Sequence, residues 1–282
     1  MSEEKGLVES INEYLAKGKV ELPVSNVTGL RLQQEISKPN TNFGDIEKLI
    51  VCDQALTAQV LKVANSAFYS GLQKVTSIRD AIIRLGTMEV SNIVTIVTQR
   101  QVFRGKDPFV CGLSEKLWQH SVACAVGAQW IAKSCNFRML LNETFLGGLL
   151  HDIGKLFLLT GIEDIKLSGK LEYQLNNEMV NQALNDLHTE YGCLLLKNWN
   201  FPEFYCQVAQ EHHAEKYDHH NDLLVIIRMA NQACRKMGIG LEEDSAIMLP
   251  SITEANLLGL SEIAIAELQV KMEDSLLLAG QS

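Results

Sequence analysis

Apolar residues recur at helical spacing along almost the whole 282-residue chain, and this periodicity restricts the fold more than any other feature. Near the N-terminus, Val8, Ile11 and Leu15 stand three and four residues apart, and almost every later segment repeats this spacing instead of the alternation of a strand. Aromatic residues make up 6% of the chain and there are five prolines, a balance that favours helices. The sequence therefore predicts an all-α protein.

Capping residues and helix breakers set the bounds of the predicted helices. Ser77 and Asp80 form a capping box, and Gly86 stands where that helix would end. The segment 104–108 is the best candidate boundary, so we expect two subdomains packed together, residues 1–107 and residues 108–282. The other predicted helices lie near residues 8–15, 27–36, 46–51, 56–68, 90–103, 114–133, 143–151, 177–199, 202–213 and 222–237, with Thr253 and Ser261 as expected caps in the tail.

The charge balance and the termini exclude several classes of protein. A formal net charge of −9 disfavours generic nucleic-acid binding, although a small basic pocket for a nucleotide would still be compatible with it. The charged N-terminus is not followed by an apolar secretory run, and no uninterrupted apolar stretch approaches membrane-spanning length. The chain contains seven scattered cysteines without a Cys-x-x-Cys pair, so neither a disulfide framework nor a thiolate zinc site is indicated. We expect a cytoplasmic protein without membrane association.

Several polar residues stand where a helix should turn a hydrophobic side chain inward. His120, His188 and Asn231 interrupt apolar rows of three predicted helices, and Asp152 lies on the apolar face of another. A buried carboxylate without a partner costs on the order of several kcal/mol, so hydrogen bonds, a cation or a metal normally neutralise it. Imidazoles and carboxylates are also usual ligands of divalent ions. The residues that could converge on one metal site are His120, His151, Asp152, His188, His212 and His213.

The same residues also have a structural interpretation. A lone inward histidine such as His120 or His188 can be a hydrogen-bonded core residue, and the pair 212–213 can be a solvated helix end. The pair 219–220 lies in a polar run and is predicted to be an exposed loop outside the site. Glycines beside the His-Asp pair predict a close approach of helices and a sharp exit of the chain; they are Gly147, Gly148 and Gly154.

The conjunction of these residues resembles the HD superfamily of metal-dependent phosphohydrolases. Residues 148–155 read Gly-Leu-Leu-His-Asp-Ile-Gly-Lys, which is similar to the signature of that superfamily. The N-terminal half is similar to the HDOD domain through Leu22-Pro23 and residues 60–69 and 77–86, and residues 199–202 followed by 211–213 also fit it. The resemblance implies a multi-helix HD-like bundle with an N-terminal helical subdomain packed against it, in a bacterial type of signalling protein.

The resemblance also implies roles for the site residues. His120, His151 and Asp152 would hold a first metal together with a late aspartate, whereas His188, His212 and His213 correspond to ligands of a second metal that Asp152 would bridge. The expected cofactor is a divalent transition metal (Fe, Mn, Zn or Ni), with one or two ions or none. In place of the late aspartate this chain has Asn231, an uncharged and weaker ligand, which should weaken the first metal and slow hydrolysis.

Three functions fit this sequence. The first is a non-catalytic or weakly active signalling module that binds a regulatory protein partner. The second is a metal-dependent phosphohydrolase acting on a nucleotide or cyclic dinucleotide, with Asp152 and Lys155 as candidate catalytic residues. The third is a nucleotide sensor that does not hydrolyse its ligand, with Arg79, Arg84 and Lys155 as possible phosphate partners.

Three features of the sequence have competing interpretations. Lys155 can instead be a solvated residue near a helix end, and Arg79 can be a structural ion-pair partner. The N-terminal motif either forms a functional surface or only caps and packs a helix end; its residues are Asn65, Ser66, Phe68 and Tyr69.

Overall fold

The computed structural model describes residues 6–16, 43–69, 74–100, 105–169 and 174–280. All the regular secondary structure in these residues is helical, and no strand occurs among them. The all-α prediction is confirmed. The predicted helix at 27–36 and the Leu22-Pro23 pair lie outside the described residues. The helices are α1 Leu7–Ala16, α2 Phe43–Val51, α3 Gln54–Ala64, α4 Ile78–Leu85, α5 Thr87–Gln99, α6 Pro108–Ser134, α7 Leu141–Leu150, α8 Ile153–Leu167, α9 Asn177–Asn198, α10 Glu203–Glu211, α11 Asp222–Lys236, α12 Thr253–Leu257 and α13 Glu262–Ala279.

Helices α2 to α5 form an N-terminal group around their own apolar core, in which Ile46, Val60 and Ile93 are almost fully buried. The predicted capping box is confirmed, since Ser77 Oγ accepts a hydrogen bond of 3.0 Å from the backbone N–H of Asp80 at the start of α4. Gly86 ends this helix with a φ of +88°, a conformation that favours glycine.

Asn65 links the end of α3 to the segment before α4 through hydrogen bonds. Its amide nitrogen donates to the carbonyl oxygens of Leu61 and Val75 at 2.8 Å each, and the N–H of Val75 donates to its Oδ1 at 2.8 Å. Nearby, Arg84 Nη2 donates to the carbonyl oxygen of Tyr69 at 2.6 Å. Phe68 packs under Lys271, whose Nζ lies 3.9 Å from the ring centre. These contacts support the capping and packing interpretation of the N-terminal motif.

The remaining helices form a bundle around α6, which contacts α7, α11 and α13. Helix α6 begins six residues before the predicted start because Asp107 caps it, accepting hydrogen bonds from the N–H groups of Phe109 and Val110, and Pro108 occupies its first turn. Ser261 caps α13 as predicted, whereas Thr253 is the first residue of α12 and not its cap. Helix α1 packs against α8 and α9 of this bundle, whereas α13 contacts both α6 and α5 and so joins the two groups of helices.

Helix α8 is absent from the sequence prediction. Gly154 was expected to mark a sharp exit of the chain, but it lies in the first turn of this 15-residue helix. The expected close approach is confirmed, because a Cβ atom at Gly154 would stand 1.9 Å from the carbonyl oxygen of His188 on α9. A Cβ atom at Gly148 would likewise stand 2.6 Å from Ala125 Cα on α6. Two glycines therefore let the helices beside the His-Asp pair cross at backbone contact.

One helical stretch, residues 138–167, is long and apolar enough by length and composition to cross a membrane, with a mean hydropathy of 1.4. It is not an uninterrupted apolar run, since Glu143, Asp152 and Lys155 lie within it. In the structure 83% of its apolar window is buried inside the protein. Packing inside the bundle therefore accounts for its composition, and one such stretch is weak evidence for a membrane span.

Candidate metal centre

The predicted metal ligands come from separate helices and meet in the middle of the bundle. His120 lies on α6, His188 on α9, and His151 and Asp152 form the turn between α7 and α8. The ligand atoms of His120, His151 and Asp152 lie within 4.8 Å of one another, which defines a first cluster. Those of a second cluster lie equally close together, and it consists of Asp152, His188, His212 and His213.

Asp152 belongs to both clusters and turns a different carboxylate oxygen to each. Its Oδ2 lies 3.5 Å from His120 Nε2 and 3.6 Å from His151 Nε2. Its Oδ1 lies 3.4 Å from His188 Nε2 and 3.3 Å from His212 Nε2. The side chain is 1% exposed. This is the arrangement that a bridging carboxylate needs.

Backbone carbonyl groups orient the buried histidines. A carbonyl oxygen can only accept, so each Nδ1 that contacts one carries the proton and leaves the lone pair on Nε2. The Nε2 atoms in turn face Asp152, the orientation that backbone carbonyls impose on metal-ligating histidines. These Nδ1 contacts are His120 to Ile239 at 2.9 Å, His151 to Gly148 at 2.8 Å, His188 to Leu184 at 2.8 Å and His212 to Ala209 at 3.0 Å.

The Nε2 atoms of these histidines also lie close to one another in two pairs. His120 and His151 place their Nε2 atoms 3.2 Å apart, and His188 and His212 place theirs 3.3 Å apart. Burial lowers the pKa of His188 and brings that of His212 to about 3, so both rings are neutral at pH 7. Asp152 Oδ1, also buried, has no hydrogen-bond partner among the described residues. A divalent cation would satisfy these lone pairs, so the residues fit a metal.

Lys155 holds the carboxylate in its charged form. Burial alone would raise the pKa of Asp152, but the Lys155 ammonium beside it holds that pKa well below its usual range. Lys155 Nζ donates to Asp152 Oδ2 at 2.8 Å, and the residue is 6% exposed. The interpretation of Lys155 as a solvated residue at a helix end is therefore wrong.

The clusters open into two neighbouring cavities. A small one is lined by His120, Asp152, Lys155 and Asn231, so Asn231, 4% exposed on α11, faces the first cluster as its position in the sequence predicts. A wider cavity of about 440 Å³ lies beside the second cluster. The residues that line both cavities are His213, which is exposed, Arg235 and Glu242. The pair 219–220 is exposed as predicted.

Arg228, on α11, holds the turn that carries His212 and His213, and the sequence offers no sign of this role. Its Nη1 donates to the carbonyl oxygens of Glu211 at 3.1 Å, His212 at 3.0 Å and Ala214 at 3.0 Å. These carbonyls lie at the C-terminal end of α10, where helical partners are missing and a cation is favourable. The Nε of Arg228 donates to Glu254 Oε1 at 2.7 Å.

This fold and site define the class as all-helical proteins with a buried His-Asp centre. The chain belongs to the HDOD domain family, whose family model matches residues 22–215. The recognition of this family from the sequence is confirmed.

Two solved structures share this fold, and one curated protein is similar to this chain in sequence. A crystal structure of an HDOD domain protein of unknown function from Geobacter sulfurreducens is 25% identical, with a TM-score of 0.75 over 97% of both chains. One from Shewanella amazonensis SB2B, provisionally described as a metal-dependent phosphohydrolase, is 20% identical, with a TM-score of 0.71 over 95% of this chain and 97% of that one. An uncharacterized protein of Treponema pallidum (strain Nichols) is 26% identical over 212 residues, which are 73% of this chain but 40% of that protein.

Proposed function

We propose that this protein is a regulatory HDOD protein whose His-Asp centre binds one or two divalent transition metal ions and hydrolyses phosphate esters slowly or not at all. The observation that carries the proposal is the Asp152 carboxylate, buried without a partner for Oδ1 among neutral imidazoles whose Nε2 lone pairs face it. Such a cluster is costly without a cation and well suited to one.

Two sets of residues would hold the ions. His120, His151, Asp152 and Asn231 would hold one, and Asp152, His188, His212 and His213 the other. Fe, Mn, Zn and Ni all accept nitrogen and oxygen ligands. When bound, such ions lower the pKa of a water and polarise a phosphoryl oxygen. In this chain Asp152 offers one carboxylate oxygen to each set, and Lys155 supplies a buried positive charge beside them.

The slow hydrolysis in this proposal follows from Asn231. An amide oxygen brings no negative charge, so the first cluster has Asp152 as its only carboxylate among the described ligands. An ion held this weakly acidifies water less. We infer that the site mainly binds metal and contributes little hydrolysis. The expected partner of the protein is a regulatory protein. The cytoplasmic location and the subdomain boundary at residue 107 stay predictions.

A second candidate function is metal-dependent hydrolysis of a nucleotide or cyclic dinucleotide. It is favoured by the buried Lys155 beside Asp152 and by the cavity of about 440 Å³ next to the second cluster, which has room for a small organic phosphate. A nucleotide sensor without hydrolysis would use the same cavity.

Metal analysis combined with Asn231→Asp tests the proposed function. We expect metal in the purified wild-type protein, and we expect Asn231→Asp to bind the first ion about tenfold more tightly and to hydrolyse a phosphodiester such as bis(p-nitrophenyl) phosphate at least about tenfold faster. The measurements are elemental analysis, calorimetric Mn²⁺ titration and the hydrolysis rate.

Asn256→Asp is the matched control, because it adds the same charge at an exposed position on α12. Wild-type protein that stays free of metal after loading with Mn²⁺, Fe²⁺, Zn²⁺ and Ni²⁺ would contradict the proposed function. Rapid wild-type hydrolysis that Asn231→Asp does not increase would favour the second candidate.

Replacing Arg228 with methionine is expected to weaken metal binding at the second cluster by about tenfold or more and to leave the first cluster unchanged. The substitution releases the carbonyl groups of Glu211, His212 and Ala214, so the two histidines of this turn lose their orientation. Calorimetric Mn²⁺ titration resolves the two classes of site, and the visible spectrum of Co²⁺-loaded protein reports ligand geometry.

Two further variants separate orientation from general stability. Tyr217→Phe removes only the hydrogen bond of 2.9 Å from Tyr217 Oη to Glu254, so we expect little change in metal affinity. Arg228→Lys keeps the charge and should recover part of the lost affinity. Equal weakening at both clusters would show that Arg228 only stabilises the fold.

A further inference from the structure

Arg235 stands between the metal centre and the wider cavity. It follows Asn231 by four residues on α11, which places both residues on one face of the helix. Arg235 lines the small cavity beside Asp152, Lys155 and Asn231 as well as the cavity of about 440 Å³. Its side chain is 29% exposed, so a ligand entering from solvent can reach it.

The guanidinium of Arg235 is weakly held in the protein. Its Nη1 makes one long hydrogen bond of 3.5 Å to Gln232 Oε1, and its buried Nε makes none to any described residue. The nearest ion pair is also loose, with 3.4 Å between Nε and Glu242 Oε2. A planar guanidinium with unused donors at the mouth of a polar cavity suits the bidentate binding of phosphate oxygens.

Glu242 is placed against Arg235 by a loop built around His120. Gly238 and Gly240 have φ angles of +66° and +126°, which turn the chain back after α11. Between them, the carbonyl oxygen of Ile239 accepts the hydrogen bond of 2.9 Å from His120 Nδ1. The carboxylate of Glu242 thus lies where it neutralises Arg235 in the absence of ligand.

We propose that Arg235 binds the phosphate group of an organic phosphate at the mouth of the metal centre, and that Glu242 competes with this phosphate for the guanidinium. The inference rests on the proposed function and names the ligand class of the same site. The non-phosphate part of the ligand, of nucleotide size, lies in the wider cavity, whose polar lining offers hydrogen bonds to a sugar or base. This lining includes Asn185, Thr189 and Gln210.

The assignment replaces the phosphate partners expected from the sequence in the N-terminal half. Arg84 already donates to the carbonyl oxygen of Tyr69, and Arg79 is exposed on α4. Among the described residues, neither arginine lines the two cavities beside the His-Asp centre.

Two substitutions with opposite expected effects test the proposal. Arg235→Gln removes the charge and should weaken the binding of phosphate and AMP by about tenfold or more, because a charge-assisted hydrogen bond is lost. Glu242→Gln removes the competitor and should strengthen the same binding several-fold. The measurements are calorimetric titrations of Mn²⁺-loaded protein with inorganic phosphate and with AMP, and Arg138→Gln, at an exposed position, is the control for net charge.

The outcomes distinguish a failure of the proposed phosphate binding from a failure of the proposed metal binding. Metal content is measured on the same samples, so failure of the proposed metal centre shows as missing metal. An unchanged phosphate affinity in Arg235→Gln, or no phosphate binding by the wild-type protein, overturns the inference. If Glu242→Gln weakens phosphate binding as much as Arg235→Gln does, the pair is a structural ion pair and the proposal is also overturned.

Discussion

Replacing Asp152 with alanine is expected to remove metal from both clusters of the centre at once. The reason is geometric, because Oδ2 faces His120 and His151 whereas Oδ1 faces His188 and His212. No other described carboxylate belongs to either cluster. Loss of this side chain leaves each set without a negatively charged ligand, and Mn²⁺, which prefers carboxylate oxygens, binds such sets weakly. The Mn²⁺ content after loading should fall to background in elemental analysis, whereas Asp186→Ala, an exposed position on α9, should keep the wild-type content.

The same substitution also changes stability, which the experiment has to separate from metal binding. Asp152→Ala leaves the buried ammonium of Lys155 without its partner at 2.8 Å, and removing one partner of a buried ion pair costs about 3–5 kcal/mol. A double variant, Asp152→Ala with Lys155→Met, removes that uncompensated charge. We expect it to recover much of the lost free energy of unfolding without recovering metal. If the double variant binds two equivalents of metal, Asp152 is not a ligand.

Replacing Gly154 with alanine is expected to destabilise the protein by about 3 kcal/mol or more and to disrupt the metal centre with it. A methyl group at this position would stand 1.9 Å from the carbonyl oxygen of His188 and 2.7 Å from the N–H nitrogen of Gly192. Both contacts are with backbone, so no side chain can move aside and α8 and α9 have to separate. Because Asp152 precedes α8 and His188 lies on α9, their separation also moves two ligands apart. Urea unfolding and metal content measure the two effects.

Gly112→Ala is the matched control for this prediction. Gly112 also lies in a helix, α6, but a Cβ atom there would meet nothing within 4 Å. Alanine has the higher helix propensity, so we expect this variant to be equal to the wild type or more stable by up to about 1 kcal/mol. Equal stability of Gly154→Ala and the wild type would mean that α8 and α9 do not cross at backbone contact.

Local signals in the sequence were sufficient for much of the fold. The Ser77 capping box and the Ser261 cap lie where the helices begin, because a cap depends on residues three positions away. The sequence did not predict helix α8, and the reason is physical. Gly154 has the same low helix propensity whether it ends a helix or lets two helices touch, and only the position of α9 distinguishes the two.

The candidate site, like the fold, could be predicted only in part from the sequence. The ligand types could be chosen from the sequence, since His120, His188 and Asn231 interrupt apolar rows that helical periodicity defines. The burial of Lys155 and the roles inferred for Arg228 and Arg235 could not. A lysine or arginine in a helix is most often solvated, so its residue type and spacing carry no sign of a buried partner.

The sequence by itself determined that the chain is helical and that it belongs to the HDOD family, and it supplied the histidines and the carboxylate of the candidate centre. These properties follow from the 3.6-residue period and from the identity and order of side chains along the chain. Only the tertiary structure decided which oxygen of Asp152 faces which pair of histidines and which ring nitrogen carries the proton. It also decided which lysine and arginine side chains line the cavities. Those features depend on contacts between helices far apart in sequence, and no local pattern records which helices meet or how closely they pack.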